Sequence, residues 1–325
     1  MKIAIVGAGA IGGFMGGRLA RAGEEVALIA RGPHLAAIRG NGLRVIEGDA
    51  DYTVHPEATD DPAAIGAVDV VVITLKAHSL PPFAERLSPL LGPETPVVTA
   101  MNGLPWWYFQ RHGGPWEGTV LRSLDPEGAI SRVIAAERVI GCIVFPSAEI
   151  AEPGVIRHIG GDRLTLGEPD GGKSERVQRI AATFIKAGLK CPVRTRIRNE
   201  IWVKLMGNMA FNPIAALTGA TLGQITGDAD IRAVATEVMN EAAAVCAKLD
   251  IRIDVTPEQR IAGAAKLAEH KPSMLQDLEA GRPLELHSMV GAVLELGELL
   301  EVPMPHTATL YATAKLRAAL RTDSA

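Results

Sequence analysis

A glycine-rich turn near the N-terminus constrains the fold more than any other feature. The predicted strand at residues 2–6, apolar after Lys2, leads directly into GAGAIG, and a stretch of helical periodicity follows. In this setting Gly7 permits a tight turn, Gly9 lets the backbone approach a pyrophosphate and Gly12 allows close packing of helix on strand. This order favours a dinucleotide-binding turn over an ordinary glycine turn. The residues predicted to contact the cofactor here are Gly7, Ala8, Gly9, Ala10, Ile11 and Gly12.

The end of the second predicted strand, Glu25 to Ala30, indicates which dinucleotide is bound. NAD-dependent enzymes usually carry a carboxylate at this point, where it binds the ribose hydroxyls. Here the strand is followed by Arg31, whose guanidinium can hold a 2′-phosphate through two parallel hydrogen bonds. The alternative is a solvated surface arginine. The absent acid and the present base together favour NADP (NADPH).

Short β-branched runs alternate with helical stretches through the first half of the chain. The run VDVVVITL at residues 68–75 is apolar enough for a central parallel strand covered on both faces. Strand and helix in alternation predict an N-terminal Rossmann-type doubly wound sheet. Short strands from residue 139 to 168 are expected to be antiparallel and to extend one edge of that sheet. Further predicted elements are a strand at 96–100, helices at 11–22, 34–39, 79–91 and 173–187, and a last strand at 190–193.

After about residue 196 the β pattern gives way to apolar spacing of helical period. The α/β fold class therefore comprises a Rossmann-like NADP-binding domain, residues 1–196, followed by an all-helical C-terminal domain, residues 197–325, that carries substrate and catalysis. Helices are predicted at residues 198–218, 229–249, 257–269, 284–300 and 306–321.

Composition excludes several classes of function. The net charge is −4 over 325 residues, with Lys and Arg scattered, so no nucleic-acid surface is expected. Cys142, Cys191 and Cys246 are far apart, which favours buried thiols in a reducing compartment over disulfides or a metal site. Residues 205–227 are uncharged, but Pro213 and several amides make membrane insertion costly. We expect a cytoplasmic protein with no bound metal and no membrane partner.

Polar residues follow two of the predicted parallel strands. Lys76 and His78 come after the strand at residues 68–75, and Asn102 and Gly103 come after the next. Ligands of open α/β sheets bind at the carboxyl ends of the strands, so Lys76 and Asn102 are candidate cofactor contacts. The alternatives are an edge lysine whose stem packs on apolar surface and a simple Asn-Gly turn.

The segment NEIWVKLMGNMAFNP carries Lys204, Asn208 and Asn212 at four-residue intervals, which places them close together on one helical face. A solvent-facing stripe would carry more charges, so this face is predicted to line a pocket. Further along, Ser273 and Glu285 lie on either side of a predicted helix break. Their spacing alone assigns no role, and Glu285 could simply favour a helix N-terminus.

Six features occur together in this sequence: GAGAIG, Arg31, LKA at Lys76, NG at Asn102, the K-x3-N-x3-N-P run and SMLQD with its later Glu. With these features the chain resembles the ketopantoate reductase (2-dehydropantoate 2-reductase) family over nearly its whole length. The resemblance implies NADPH-dependent reduction of 2-dehydropantoate to pantoate, in pantothenate biosynthesis toward coenzyme A. It also implies roles for the matching residues. Lys204 would be the catalytic acid and Glu285 a hydrogen-bonding partner near the reacting oxygen, while Asn208, Asn212, Ser273 and Asn102 would hold the substrate.

An aromatic-rich segment at residues 104–136 departs from the family pattern. Its aromatic side chains could pack under a long loop, form a contact in a homodimer or cover the active site. The exact 2-oxo acid is therefore open, and a paralogous reductase of a bulkier acid is the alternative. A protein that binds NADP without catalysis is the alternative from another class.

Overall fold

Strands and helices occupy different parts of the chain. In residues 1–322, which the computed structural model describes, all eleven strands precede residue 168 and seven of the ten α-helices follow residue 196. The first unit contains residues 1–101, 106–120 and 127–197. The second unit contains the residues from Arg198 onward together with two short segments, 102–105 and 121–126.

The first unit contains every strand and three helices. The strands are β1 Lys2–Val6, β2 Glu25–Ile29, β3 Leu43–Glu47, β4 Ala50–Val54, β5 Glu57–Thr59, β6 Val70–Ile73, β7 Val97–Ala100, β8 Val139–Val144, β9 Ser147–Glu152, β10 Val155–Gly160 and β11 Leu164–Gly167. The helices are α1 Ala10–Arg21, α2 Gly32–Asn41 and α3 Glu175–Lys186.

Seven strands form the main sheet in the order β11-β8-β7-β6-β1-β2-β5. The six strands from β8 to β5 pair in parallel, and β11 adds antiparallel at the β8 edge. Numbered along the chain, the six parallel strands follow the order 3-2-1-4-5-6 of the doubly wound dinucleotide-binding fold. The predicted fold class is therefore confirmed.

A second sheet in the same unit corrects one prediction. Its order is β4-β3-β10-β9, so only β8 and β11 of the later strands join the main sheet. This small sheet covers α1 where that helix carries glycines. A Cβ on Gly13 would lie 2.7 Å from Ile156 of β10, and a Cβ on Gly17 would lie 2.5 Å from Val45 of β3. The parallel β3–β10 pairing joins distant parts of the chain and leaves no local signal in the sequence.

Two further predictions in this unit were wrong in detail. The helix expected at residues 79–91 is instead 3₁₀ over Pro81–Leu90, because Pro82 and Pro89 lack the N–H groups of a regular α-helix. The strand expected at residues 190–193 makes only two isolated bridges, Arg163 with Lys190 and Leu166 with Val193.

The aromatic side chains at residues 106–109 pack inside the first unit. Trp106, Trp107, Tyr108 and Phe109 are each at most 5% exposed. The Trp107 indole donates a hydrogen bond of 2.9 Å to the Thr99 hydroxyl of β7. The interpretation of this stretch as packing under a long loop is therefore confirmed for these four residues.

The second unit is helical, as predicted. Its helices are α4 Ile197–Thr218, α5 Leu222–Gly227, α6 Ala229–Lys248, α7 Pro257–Ala265, α8 Ser273–Glu279, α9 Ala292–Leu299 and α10 Pro305–Thr322. The helix predicted at residues 257–269 ends four residues early, and α9 is preceded by a π-helical turn at His287–Gly291. The short helices α5 and α8 were not predicted. No helix among the described residues has both the length and the apolar character needed to cross a membrane.

Candidate active site

The glycine turn follows β1 and is held by the neighbouring strand β6. Gly7 has φ of +101°, which strains any residue with a side chain. A Cβ on Gly12 would lie 2.2 Å from the Gly7 carbonyl oxygen, so only glycine lets α1 start this close to the strand. The Thr74 hydroxyl donates a hydrogen bond of 2.7 Å to the same carbonyl. The conformation of the turn is therefore held by contacts within the protein itself.

The N-terminus of α1 has the chemistry of a pyrophosphate site. Gly9 is its N-cap and contributes no side-chain hydrogen bond, and the first turn contains no acidic residue. A Cβ on Gly9 would meet no atom within 4 Å, so the space in front of the helix is open. Free N–H groups and the positive end of the helix dipole suit a bound phosphate. These residues fit a dinucleotide cofactor.

Arg31 stands at the N-terminus of α2, where it is the N-cap residue. Its side chain is exposed and makes no hydrogen bond or ion pair within residues 1–322. The first turn of α2, like that of α1, has no acidic residue. A free guanidinium at a carboxylate-free helix start fits a 2′-phosphate at the end of β2.

Lys76 lies at the same edge of the sheet as the glycine turn. Val6 of β1 pairs with Ile73 of β6, which makes Gly7 and Thr74 neighbours at the carboxyl ends of the two strands. Lys76 follows two residues later as the N-cap of a 3₁₀ turn and is half-buried. The two strands lie on either side of the point where the strand order reverses, which is where ligands of such sheets bind.

A cluster of three polar side chains forms in the second unit. The Lys204 ammonium on α4 donates a hydrogen bond of 2.7 Å to the Oδ1 atom of Asn102. The Nδ2 atom of Asn102 donates in turn to a carboxylate oxygen of Glu285, at 3.4 Å. Glu285 is only 8% exposed, and Lys204 and Asn102 are half-buried. The structure thus brings together three of the residues predicted from the sequence.

Gly103 explains how Asn102 reaches this cluster. Its φ is +86°, and a Cβ there would lie 2.5 Å from the Ser288 carbonyl oxygen in the π-helical turn. The next residue, Leu104, donates its backbone N–H to that oxygen at 3.0 Å. The Ser288 hydroxyl also donates to the Glu285 carbonyl at 3.2 Å. The Asn102-Gly103 pair therefore does more than form a turn, because it lets this segment pack closely against the π-helical turn.

The other predicted substrate residues differ in their surroundings. Asn208 on α4 is half-buried and makes no side-chain hydrogen bond with the described residues. Asn212 is 5% exposed, and its Nδ2 atom lies 3.2 Å from the Met289 sulfur. Ser273 is the exposed first residue of α8, and its side chain has no hydrogen-bond partner in residues 1–322. Because Lys204, Asn208 and Asn212 are all at least half-buried, the face they share is not a solvent-facing stripe.

Sequence reasoning missed Thr74 and Ser288, which position the glycine turn and the Asn102 segment. Both act through partners far away in the chain, and neither belongs to a recognisable motif. The only available signal for Thr74 was its place at the end of the most apolar strand.

This fold and this arrangement of side chains define an oxidoreductase with a dinucleotide-binding sheet and a helical second unit. Residues 3–171 match the family model for ketopantoate reductase PanE/ApbA, and residues 196–318 match the model for the C-terminal part of the same enzymes. The chain belongs to the ketopantoate reductase family, which confirms the resemblance seen in its motifs.

Individual relatives agree with this assignment. The chain is 52% identical to a 2-dehydropantoate 2-reductase of Mesorhizobium japonicum over 94% of both chains. It is 31% identical to the enzyme of that name from Pyrococcus horikoshii over 98% of both chains. A solved ketopantoate reductase homologue from Ralstonia solanacearum superposes with a TM-score of 0.94 at 44% identity, covering 99% of this chain and 98% of the other.

Proposed function

We propose that the protein reduces 2-dehydropantoate (ketopantoate) to pantoate with NADPH, and that Lys204 is the general acid. The observation that carries this proposal is the hydrogen bond from the Lys204 ammonium to Asn102, beside the buried carboxylate of Glu285. The names of the relatives support the choice of substrate. Bound NADPH would supply the hydride, and the glycine turn, Arg31 and Lys76 would hold it.

The work of Lys204 is to stabilise charge and to donate a proton. Negative charge grows on the carbonyl oxygen of a 2-oxo acid as its carbon is reduced, and a positioned ammonium stabilises that charge and then protonates the oxygen. Asn102 accepts one N–H of the ammonium and so restricts its direction. Glu285 accepts from the other end of the amide, which keeps the amide oxygen turned toward Lys204.

The remaining polar residues would hold the substrate. Asn208 and Asn212 lie one and two turns beyond Lys204 on α4, so they can contact other atoms of a molecule whose carbonyl oxygen meets the ammonium. Amide and hydroxyl donors, including Ser273, suit the carboxylate and hydroxyl groups of ketopantoate. Arg31, at the end of β2, favours NADPH over NADH.

Steady-state oxidation of NADPH with several 2-oxo acids tests the substrate. We expect ketopantoate to give the highest kcat/KM. Phenylglyoxylate, which is bulkier and apolar, represents the alternative of a paralogous reductase. Good turnover of phenylglyoxylate with none of ketopantoate would transfer the assignment to that alternative.

Substitution of the lysine tests the mechanism. Lys204→Ala should lower kcat by about 10²- to 10⁴-fold, because the proton donor and its positive charge are lost. NADPH binding should be kept, because the residues proposed to hold the cofactor are unchanged. Lys248→Ala, which removes an exposed lysine at the end of α6, is the matched control. Full activity in Lys204→Ala would exclude the proposed role.

A further inference from the structure

A half-buried arginine lies against the helix that carries Lys204. Arg260 is on α7, and its guanidinium packs on α4 at Gly207. A Cβ on Gly207 would lie 2.2 Å from one terminal nitrogen of Arg260 and 3.1 Å from the central carbon. The guanidinium therefore occupies the space that any larger residue at position 207 would fill.

Arg260 has no counter-charge. Its Nε atom is buried and lacks a hydrogen-bond partner, and the guanidinium forms no ion pair within residues 1–322. Burial lowers the pKa of Arg260. Only Nε is buried without a partner, so the two terminal nitrogens, which also make no hydrogen bond with described residues, remain accessible. A half-buried cation without a counter-charge is costly, and binding an anion would offset that cost.

The position of this cation connects it with the candidate site. Gly207 lies three residues after Lys204, and Asn208 four, so all three are neighbours on one face of α4. The Asn208 amide also has no hydrogen-bond partner among the described residues. One face of α4 thus presents an ammonium, an unsatisfied amide and, across Gly207, an unsatisfied guanidinium.

Two other half-buried arginines are paired with carboxylates. Arg176 donates from Nε and Nη2 to the buried carboxylate of Glu168, and Arg18 pairs with Glu47. Arg260 is half-buried like Arg176 and Arg18, but it has no carboxylate partner among the described residues. A purely structural role would leave this difference unexplained.

We propose that Arg260 binds the carboxylate of the 2-oxo acid substrate, with Gly207 providing the space for its guanidinium. This inference rests on the proposed function and adds the charged group that the amides and the Ser273 hydroxyl do not supply. A guanidinium matches a carboxylate through two parallel hydrogen bonds and distinguishes it from a neutral group. Arg260 would therefore make the site selective for an acid over an uncharged analogue.

Arg260→Gln tests this role. We expect KM for ketopantoate, and Kd for pantoate in the presence of NADP⁺, to rise about tenfold to a hundredfold, since a charged hydrogen-bonded pair is lost. Binding of the neutral pantoyl lactone and the Kd of NADPH should stay the same. Arg252→Gln, which removes an exposed arginine of the same unit, is the matched control and should change none of these values.

Two other variants keep the test decisive if Arg260→Gln fails to fold. Arg260→Lys retains the charge but lacks the two parallel N–H donors of a guanidinium, so it should raise KM for the acid by less than Arg260→Gln. Gly207→Ala should also raise KM for the acid, because the new Cβ displaces the guanidinium. Alanine is favourable in a helix, so α4 itself should not be destabilised. An unchanged KM in both variants would overturn the inference, as would an unchanged KM in a folded Arg260→Gln.

The outcomes also separate this inference from the proposed function. A wild-type protein that turns over no ketopantoate counts against the proposed function. A wild-type protein that turns it over, while Arg260→Gln keeps the same KM and the same pantoate affinity, counts against Arg260 alone.

Discussion

The Nζ atom of Lys204 lies 2.7 Å from the Oδ1 atom of Asn102, and this contact fixes which end of the amide faces Glu285. With its oxygen occupied by the ammonium, Asn102 turns its NH₂ group toward the buried carboxylate, 3.4 Å away. The amide therefore joins a cation to an anion with one donor and one acceptor. Alanine has neither group, and aspartate has no donor at neutral pH.

We predict that Asn102→Ala and Asn102→Asp each lower kcat/KM by about tenfold to a hundredfold, because the ammonium loses a directing bond and Glu285 loses a donor. Aspartate should be the worse of the two for folding stability, since it places a second carboxylate beside Glu285. Asn240→Ala, on the exposed side of α6, is the control. Wild-type kinetics in both Asn102 variants would show that the amide is not part of the machinery.

Arg31 should determine the choice between the two nicotinamide dinucleotides. Arg31→Gln is expected to weaken NADPH binding by about 1–3 kcal/mol, the worth of a charged hydrogen bond, and to leave NADH binding nearly unchanged. Titration of each dinucleotide followed by fluorescence or calorimetry measures this. Arg39→Gln, which removes an exposed arginine from the same helix, serves as the comparison. Equal losses for both dinucleotides would contradict contact with the 2′-phosphate.

Glu241 should stabilise the fold in a pH-dependent way. Its carboxylate accepts hydrogen bonds from the backbone N–H groups of His306 and Thr307 at the start of α10 and from the Thr307 hydroxyl. Burial opposes ionisation, but these hydrogen bonds outweigh it and hold the pKa of Glu241 below its ordinary value. The unfolded chain therefore binds this proton more readily than the folded one, and stability is lost as the pH falls through the lowered pKa.

We accordingly expect Glu241→Gln to cost about 1–3 kcal/mol of unfolding free energy at neutral pH. The difference from wild type should shrink as the pH drops below the ordinary glutamate value. Urea unfolding at several pH values measures this, with Glu237→Gln on the exposed face of α6 as control. A difference that does not change with pH would show that the carboxylate's charge plays no part.

Gly17 should be required for packing and not for flexibility. Alanine at this position would place its Cβ 2.5 Å from the buried Val45 side chain, so overpacking should cost about 1–3 kcal/mol despite alanine's helical preference. Gly40 on α2 has open space around its Cβ position, and Gly40→Ala should instead stabilise the protein by about 0.4–1 kcal/mol. In thermal unfolding, Gly17→Ala should lower the Tm and Gly40→Ala should raise it. A shift to higher Tm in Gly17→Ala would be inconsistent with the close approach.

The three cysteines should be unreactive in the native protein. All are buried, and desolvation raises the pKa of Cys191 to about 12 and that of Cys246 even further. Reaction with a disulfide reagent needs the thiolate, so we expect no labelling under native conditions and three labelled thiols in denaturant. Rapid labelling of Cys191 or Cys246 in the native protein would show that the buried regions around these thiols open readily to solvent.

The sequence by itself determined the features that depend on neighbours in the chain. The apolar run, the glycines and the helix after them predict β1, the turn and α1, because backbone geometry and pattern period are local properties. The same reasoning placed Lys204, Asn208 and Asn212 on one face of α4. It also located Asn102 after a parallel strand, at the edge of a sheet where ligands bind.

Only the tertiary structure decided which distant residues meet. The pairing of β3 with β10, the docking of Gly103 on the turn at Ser288 and the packing of Arg260 on Gly207 each join segments separated by long stretches of chain. Such contacts follow from how all apolar surfaces are buried at once, and no local period or spacing encodes them. For the same reason Asn102 could be named as a candidate from its strand, whereas its place between Lys204 and Glu285 required the folded chain.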